Sequence, residues 1–137
     1  ENGPLQVIPG SHRGPIFEHW HDGVFTGAVS PEVFEEVSSK RIDIIGKPGT
    51  ACFMHGRLLH GSAPNLSTGP RTLLINEYRA EDAKPLDRNH IPSRMEGELV
   101  KGVITNRVRC SDFEMAFPEY PTTASFFDQQ AKSSMGM

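Results

Sequence analysis

Short apolar runs bounded by glycine and proline are the feature of this 137-residue chain that most limits its fold. The run Leu5–Ile8 is an example, because Gly3-Pro4 precedes it and Pro9-Gly10 follows it, so a strand between two turns is expected. Further short strands are predicted at residues 40–45, 50–55, 58–60 and 71–80. This pattern predicts an antiparallel all-β sandwich or barrel.

One helix and one long loop interrupt the predicted strands. Ser30 is a good helix N-cap, Pro31 suits the first helical turn, and apolar residues recur after it, which predicts a helix over residues 31–39. Residues 16–31 have neither helical nor strand periodicity and are rich in aromatic side chains. We expect them to form a loop or lid that borders a site.

The candidate site is centred on His60 and Arg71. His60 precedes a loop of small residues, and Arg71 opens the next apolar run. A hairpin would place both side chains on one side of a sheet. An imidazole can bind a transition metal, and a guanidinium can hold a carboxylate with two hydrogen bonds. Arg71 shares its predicted strand face with Leu73, Ile75 and Glu77, so its anionic partner is either a ligand or an internal carboxylate such as Glu77.

Four segments of the chain together resemble the phytanoyl-CoA dioxygenase family of iron(II)/2-oxoglutarate oxygenases. The resemblance extends from residue 1 to about residue 88, and its segments are Asn2-Gly3-Pro4-Leu5-Gln6-Val7-Ile8-Pro9-Gly10-Ser11-His12, His60-Gly61-Ser62-Ala63-Pro64-Asn65, Pro70-Arg71 and Ser125-Phe126-Phe127-Asp128. It implies the later strands of a double-stranded β-helix, or jelly roll, with one short helix. Residues 1–88 would be the C-terminal half of that core, and residues 89–137 a partly irregular extension packed on it.

The resemblance also implies roles for particular residues. His60 would be the distal histidine that binds Fe(II), Arg71 would grip the far carboxylate of 2-oxoglutarate, and Ser62 would add a hydrogen bond to that carboxylate. As alternatives, His60 would be a histidine hydrogen-bonded to backbone, Arg71 would form a structural ion pair, and Ser62 would make a turn hydrogen bond. Ser11 and His12 are expected to hydrogen-bond the backbone of their own turn.

Three further residues are candidates for the wall of a substrate pocket, namely Trp20, His21 and His55. His21 and the adjacent Asp22 invite a metal-binding interpretation as well. The order His21-Asp22 lacks the intervening residue of the His-x-Asp pair that the resembled family uses for iron, so we favour a role in the loop or facing the substrate.

No His-x-Asp sequence occurs in residues 1–137. In the resembled family this pair lies before the segment that begins the present chain, so we expect a C-terminal fragment that carries half of a site and is inactive alone. Missing early strands would leave open sheet edges and an uncovered apolar face, which predicts self-association of the chain.

Composition excludes some classes of function. A net charge of −3 and a pI near 6.1 give no electrostatic reason to expect nucleic acid or an anionic membrane as partner. Cys52 and Cys110 form no disulfide framework and no CxxC pair. No stretch approaches the roughly 18 apolar residues of a membrane span, and no signal peptide is visible, so a cytoplasmic location is expected.

The predicted function is part of a hydroxylase that couples decarboxylation of 2-oxoglutarate to oxidation of a small organic or acyl substrate. The alternative is a non-catalytic jelly-roll module that binds a small carboxylate at Arg71. A cupin-like hydrolase or isomerase with another metal is a third option.

Overall fold

A computed structural model describes residues 1–87, 89 and 92–119 of the chain. These residues form five short strands, one α-helix and one 3-10 turn at Ser11–Arg13. The strands are β1 (Leu5–Val7), β2 (Trp20–His21), β3 (Val24–Phe25), β4 (Ile42–Ile44) and β5 (His60–Ser62), and the helix is α1 (Pro31–Ser38). The described chain is therefore all-β with one short helix, as predicted.

The main sheet has three antiparallel strands in the order β4-β1-β5. β1 is central, and its Val7 is one of two buried apolar residues in the described chain, the other being Phe25 of β3. On the opposite face of the sheet, Gln6 Nε2 donates a hydrogen bond to Asp43 Oδ1 at 2.8 Å. This cross-strand bond supports the register between β1 and β4.

Helix α1 begins where the sequence predicts. Ser30 Oγ accepts a hydrogen bond from the backbone N–H of Val33 at 3.3 Å, and Pro31 occupies the first turn, where its missing N–H costs nothing. The helix ends at Ser38 with Ser39 as its C-cap, one residue earlier than predicted.

Residues 16–31 differ from the predicted loop, because they contain the β2–β3 hairpin. Its turn is Asp22-Gly23, and both residues have positive φ, at 50° and 76°. An Asp-Gly pair with this geometry makes the two-residue turn whose twist matches a hairpin. Strands β2 and β3 pair through only two residues each, which is too short for the alternation of a strand to be visible in the sequence.

Two predicted strands, at residues 50–55 and 71–80, are not strands in the structure, and strand β5 begins at His60 rather than Leu58. Phe53 is 92% exposed and Leu74 is 84% exposed. Both runs have strand-like sequences, but a strand also needs a neighbouring backbone to pair with. Among the described residues neither run has such a partner.

The chain divides into two compact units. The first contains residues 1–73 and 116–119 of the described chain, including both sheets and α1. The second contains residues 74–115, where Nη2 of Arg109 contacts both carboxylate oxygens of Asp82 and Lys84 pairs with Glu81. The predicted division between a jelly-roll core at residues 1–88 and an extension at residues 89–137 stays a prediction. No helix of the described residues is long and apolar enough to cross a membrane.

Candidate functional site

Strand β5 places His60 and Ser62 on the same face of the main sheet. Side chains alternate along a strand, so residues two apart point the same way. In the antiparallel register, His60 lies opposite Val7 and Ser62 lies opposite Leu5. His60 and Ser62 therefore share a sheet face with Leu5 and Val7 of the central strand. Both polar residues are exposed at the β5 edge of that face.

Arg71 returns to this face through a loop. Its Nη2 donates a hydrogen bond to Ser62 Oγ at 3.0 Å, and the arginine is half-buried. The loop is closed by Asn65, whose Nδ2 donates to Gly69 O at 2.9 Å and whose Oδ1 accepts from Ser67 N and Ser67 Oγ. The structure thus brings Arg71 to Ser62 on the side of β5 that carries His60, although residue 71 is not in a paired strand.

The position of the His60 ring favours one tautomer. Its Nδ1 lies 2.7 Å from Leu58 O. A carbonyl oxygen only accepts, so Nδ1 must be the protonated nitrogen, and Nε2 of the neutral ring keeps its lone pair. This is the arrangement found in metal-binding histidines, in which the second ring nitrogen is held by a backbone carbonyl or a carboxylate.

The donor set is incomplete for a transition metal within the part of the chain that the structure describes. In those residues no three His, Cys, Asp or Glu side chains come together in a group that could hold an ion. His60 fits the role of one nitrogen ligand, but it does not make a site alone. A metal centre that includes His60 therefore needs further ligands beyond the described residues.

His55 is engaged in the turn that precedes β5. Its Nδ1 accepts a hydrogen bond from the backbone N–H of Arg57 at 3.1 Å, and its ring centroid lies 5.4 Å from that of His12. Arg57 Nη2 in turn donates to Gly14 O. These contacts join the His55–Leu58 turn to the 3-10 segment of the Pro9-Gly10-Ser11-His12 motif. A pocket-lining role for His55 stays a prediction.

Trp20 and His21 lie on strand β2 of the hairpin. Trp20 Nε1 donates to Phe117 O at 3.1 Å, and its ring packs at 5.5 Å from that of Phe25. His21 Nε2 is 2.8 Å from Ala28 O and therefore carries the proton. These contacts stabilise the hairpin and its exit segment. The predicted role of both residues in a substrate pocket stays a prediction, and Asp22 occupies the hairpin turn.

Two residues that support the site are absent from the set of predicted site residues. The side chain of Ser11 is predicted to bond its own turn, but its Oγ accepts a hydrogen bond from the backbone N–H of Leu59 at 2.8 Å. Gly3 has φ 72° and is buried against the loop after β5, where a Cβ would lie 2.3 Å from Ala63 O. Both residues lie in the family-like segment at residues 2–12, but their contacts with Leu59 and Ala63 depend on tertiary structure.

Comparison with known proteins gives a consistent family match. Residues 1–73 match the family model described as phytanoyl-CoA dioxygenase. A probable alpha-ketoglutarate-dependent hypophosphite dioxygenase of Stutzerimonas stutzeri is 38% identical over 90 residues, which cover 63% of this chain and 32% of the relative. The peroxisomal phytanoyl-CoA dioxygenase of Homo sapiens is 30% identical over 90 residues, covering 63% of this chain and 26% of the relative.

An ectoine dioxygenase of Sphingopyxis alaskensis is 32% identical over 91 residues, covering 58% of this chain and 30% of the relative. The matched region thus spans between a quarter and a third of the length of these relatives. No solved structure matches the chain.

Proposed function

Because the chain belongs to the phytanoyl-CoA dioxygenase family, we propose that it forms part of a dioxygenase that uses Fe(II) and 2-oxoglutarate to hydroxylate a small organic or acyl substrate. In this proposal residues 1–88 belong to the later strands of a jelly roll, and residues 89–137 form an extension packed on them. The antiparallel order β4-β1-β5, with His60 on β5, is consistent with that assignment.

The observation that carries the proposal is the contact between Arg71 and Ser62 beside His60. Arg71 Nη2 is 3.0 Å from Ser62 Oγ, and Ser62 lies two residues from His60 on the same strand face. A guanidinium has five N–H donors, so the bond to Ser62 leaves donors with which Arg71 can hold a carboxylate in a two-pronged geometry. The hydroxyl of Ser62 can donate its own proton to the same carboxylate.

His60 contributes a neutral nitrogen at the other end of the ligand. Its Nε2 lone pair is available because Nδ1 is bonded to Leu58 O. A dicarboxylate with a keto group would suit these residues, because Arg71 and Ser62 would hold one carboxylate and His60 would ligate the metal that binds the keto-acid end. Iron, when bound by His60 together with a His-x-Asp pair elsewhere in the polypeptide, would supply the oxidative chemistry.

The experiment is a titration of 2-oxoglutarate into the wild-type chain, Arg71→Lys and Arg71→Ala, with and without Fe(II) under anaerobic conditions, followed by the amide resonances of Ser62 and its neighbours. We expect Arg71→Lys to weaken binding on the order of tenfold, because lysine cannot make the two-pronged bond, and Arg71→Ala to weaken it further. Arg79→Ala is the matched control, because Arg79 bonds the backbone of Ala83 in the second unit. Equal affinities in all variants would remove Arg71 from this role.

The alternative function, a module that binds a carboxylate without catalysis, retains the Arg71 contact and dispenses with the metal. The two are separated by His60→Ala. In an oxygenase that carries the complete site, this variant loses the Fe(II)-dependent increase in 2-oxoglutarate affinity and the formation of succinate. In a binding module it leaves affinity unchanged, and no His-x-Asp pair accompanies the chain. We expect this chain alone to bind Fe(II) weakly and to show no turnover.

The location of the complete protein is also part of the proposal. We infer a cytoplasmic location, whereas the mammalian relatives are named as peroxisomal. Imaging of the tagged complete protein decides between them.

A further inference from the structure

The peptide group between Leu58 and Leu59 is hydrogen-bonded at both of its ends. Its carbonyl oxygen, Leu58 O, accepts the Nδ1 proton of His60 at 2.7 Å. Its N–H, Leu59 N, donates to Ser11 Oγ at 2.8 Å. These two atoms belong to one planar amide, so the orientation of the Ser11 bond determines the direction in which the carbonyl faces the histidine ring.

Ser11 is itself held firmly relative to β5. Its backbone N–H donates to Ile8 O at 3.2 Å, and Ile8 N–H donates to Leu59 O at 2.9 Å. Leu59 is therefore bonded to the Ile8–Ser11 segment through both its N–H and its C=O, and Ser11, Leu58 and Leu59 are all half-buried. The segment continues the central strand β1, so Ser11 has a fixed place beside the strand that carries His60.

We propose that Ser11 is a positioning residue for His60, acting through the Leu58–Leu59 peptide to hold the ring as the Nδ1–H tautomer with Nε2 available to a ligand. An N–H that donates a hydrogen bond polarises its amide and makes the attached carbonyl a better acceptor. The Ser11 hydroxyl thus strengthens the Leu58 O bond to Nδ1–H and raises the electron density at Nε2. The use of Nε2 as a metal ligand rests on the proposed function. The arrangement of the Ser11 hydroxyl, the Leu58–Leu59 peptide and the His60 ring does not depend on it.

The test compares wild type, Ser11→Ala and Ser11→Thr by nitrogen NMR of the His60 ring at pH 8, where histidine is mostly neutral, and by exchange of the Leu59 amide. We expect the wild-type ring to carry its proton on Nδ1. In Ser11→Ala, Leu59 exchange should accelerate on the order of fivefold, and the population of the Nε2–H tautomer should rise. Ser11→Thr keeps a hydroxyl and should restore both readouts. Ser38→Ala, which removes a hydroxyl that bonds Glu35 O in helix α1, is the control.

Several outcomes would overturn the proposal. A wild-type ring protonated on Nε2 overturns it without any variant, as does a Ser11→Ala protein in which Leu59 exchanges faster while the tautomer stays unchanged. Failure of Ser11→Thr to restore the tautomer also counts against it. Because both readouts are made without metal or 2-oxoglutarate, they are independent of the Arg71 titration, so the proposed function can fail while this inference holds, and the reverse.

Discussion

At the scale of single residues, Gly3 connects the segment at residues 2–12 with the loop that follows His60. Backbone bonds from Ala63 N to Pro4 O at 3.2 Å and from Leu66 N to Glu1 O at 2.7 Å run alongside it. The backbone at Ala63 lies so close to Gly3 that a side chain at position 3 has no room. Gly3 also has a positive φ, which other residues adopt only at an energetic cost. The motif that contains Gly3 and the loop that follows His60 therefore depend on each other physically.

Gly3→Ala is predicted to loosen the loop after β5. The added Cβ would meet the backbone of Ala63, which cannot move without breaking the bond to Pro4 O. We expect the cost to exceed the roughly 1–2 kcal/mol of a left-handed alanine alone, with faster amide exchange at Ala63 and Leu66. Gly23→Ala is the control, because Gly23 has a similar φ of 76° and open space around it. If both variants leave Ala63 and Leu66 equally protected, the contact is not important.

At the scale of elements, the β2–β3 hairpin has its own small core. Phe25 is buried, and the centroid of its ring lies 5.5 Å from that of Trp20 and 6.4 Å from that of His19. Thr26 is buried as well, and its N–H and Oγ both donate to His19 O. Burial lowers the pKa of His19, the nearby His21 lowers it further, and Glu18 opposes both effects.

The hairpin is predicted to weaken in mild acid. A histidine whose pKa is lower in the folded state than in the unfolded state takes up its proton more readily when unfolded. Its contribution to folding stability is therefore fully present at a pH above its ordinary pKa of about 6.5. Stability is then lost as the pH falls through 6.5 toward the lower folded value. The single tryptophan, Trp20, reports this directly, because its emission maximum should move to longer wavelength as it leaves Phe25 and Phe117.

The control for this titration is His19→Asn, which cannot be protonated. We expect its emission maximum to vary less between pH 7 and pH 5 than that of wild type, and the two proteins to respond similarly above pH 8. A wild-type curve that is flat over this range, or a His19→Asn curve that is equally steep, contradicts the assignment.

At the scale of the whole molecule, the described residues bury few apolar side chains and expose many. Only Val7 and Phe25 are buried apolar residues in that part of the chain, whereas Ile45 is 83% and Phe53 is 92% exposed. Exposed apolar runs and unpaired strand edges favour association with other protein surfaces. The self-association expected from the sequence therefore stays a prediction for which the structure provides a physical reason.

Sedimentation of the isolated chain measures this association. We expect its mean mass to rise with concentration above the monomer mass of 15.2 kDa, and the double variant Ile45→Ser with Phe53→Ser to remain nearer the monomer. Both side chains are exposed, so the substitutions create no cavity. Glu35→Gln, an exposed polar change on α1, is the control. A wild-type chain that sediments as a monomer at every concentration contradicts the prediction.

What the sequence determined by itself was local or motif-based. The start of α1 follows from Ser30-Pro31, the central strand β1 from its Gly-Pro boundaries, and the family from the segments around Gly3, Ser11, His60 and Arg71. The Asp22-Gly23 pair also indicates the hairpin turn, although the two-residue strands beside it are too short to show periodicity. These features depend on neighbouring residues, whose conformational preferences act without the rest of the fold.

Only the tertiary structure decided which backbones pair and which distant groups meet. The runs at 50–55 and 71–80 have strand-like sequences, but pairing needs a neighbouring strand, and the described residues provide none for them. The bond from Leu59 to Ser11, the contact of Gly3 with Ala63 and the approach of Arg71 to Ser62 join residues that are 9 to 60 positions apart. Such contacts depend on loop closure and packing of the whole chain, which no local preference encodes.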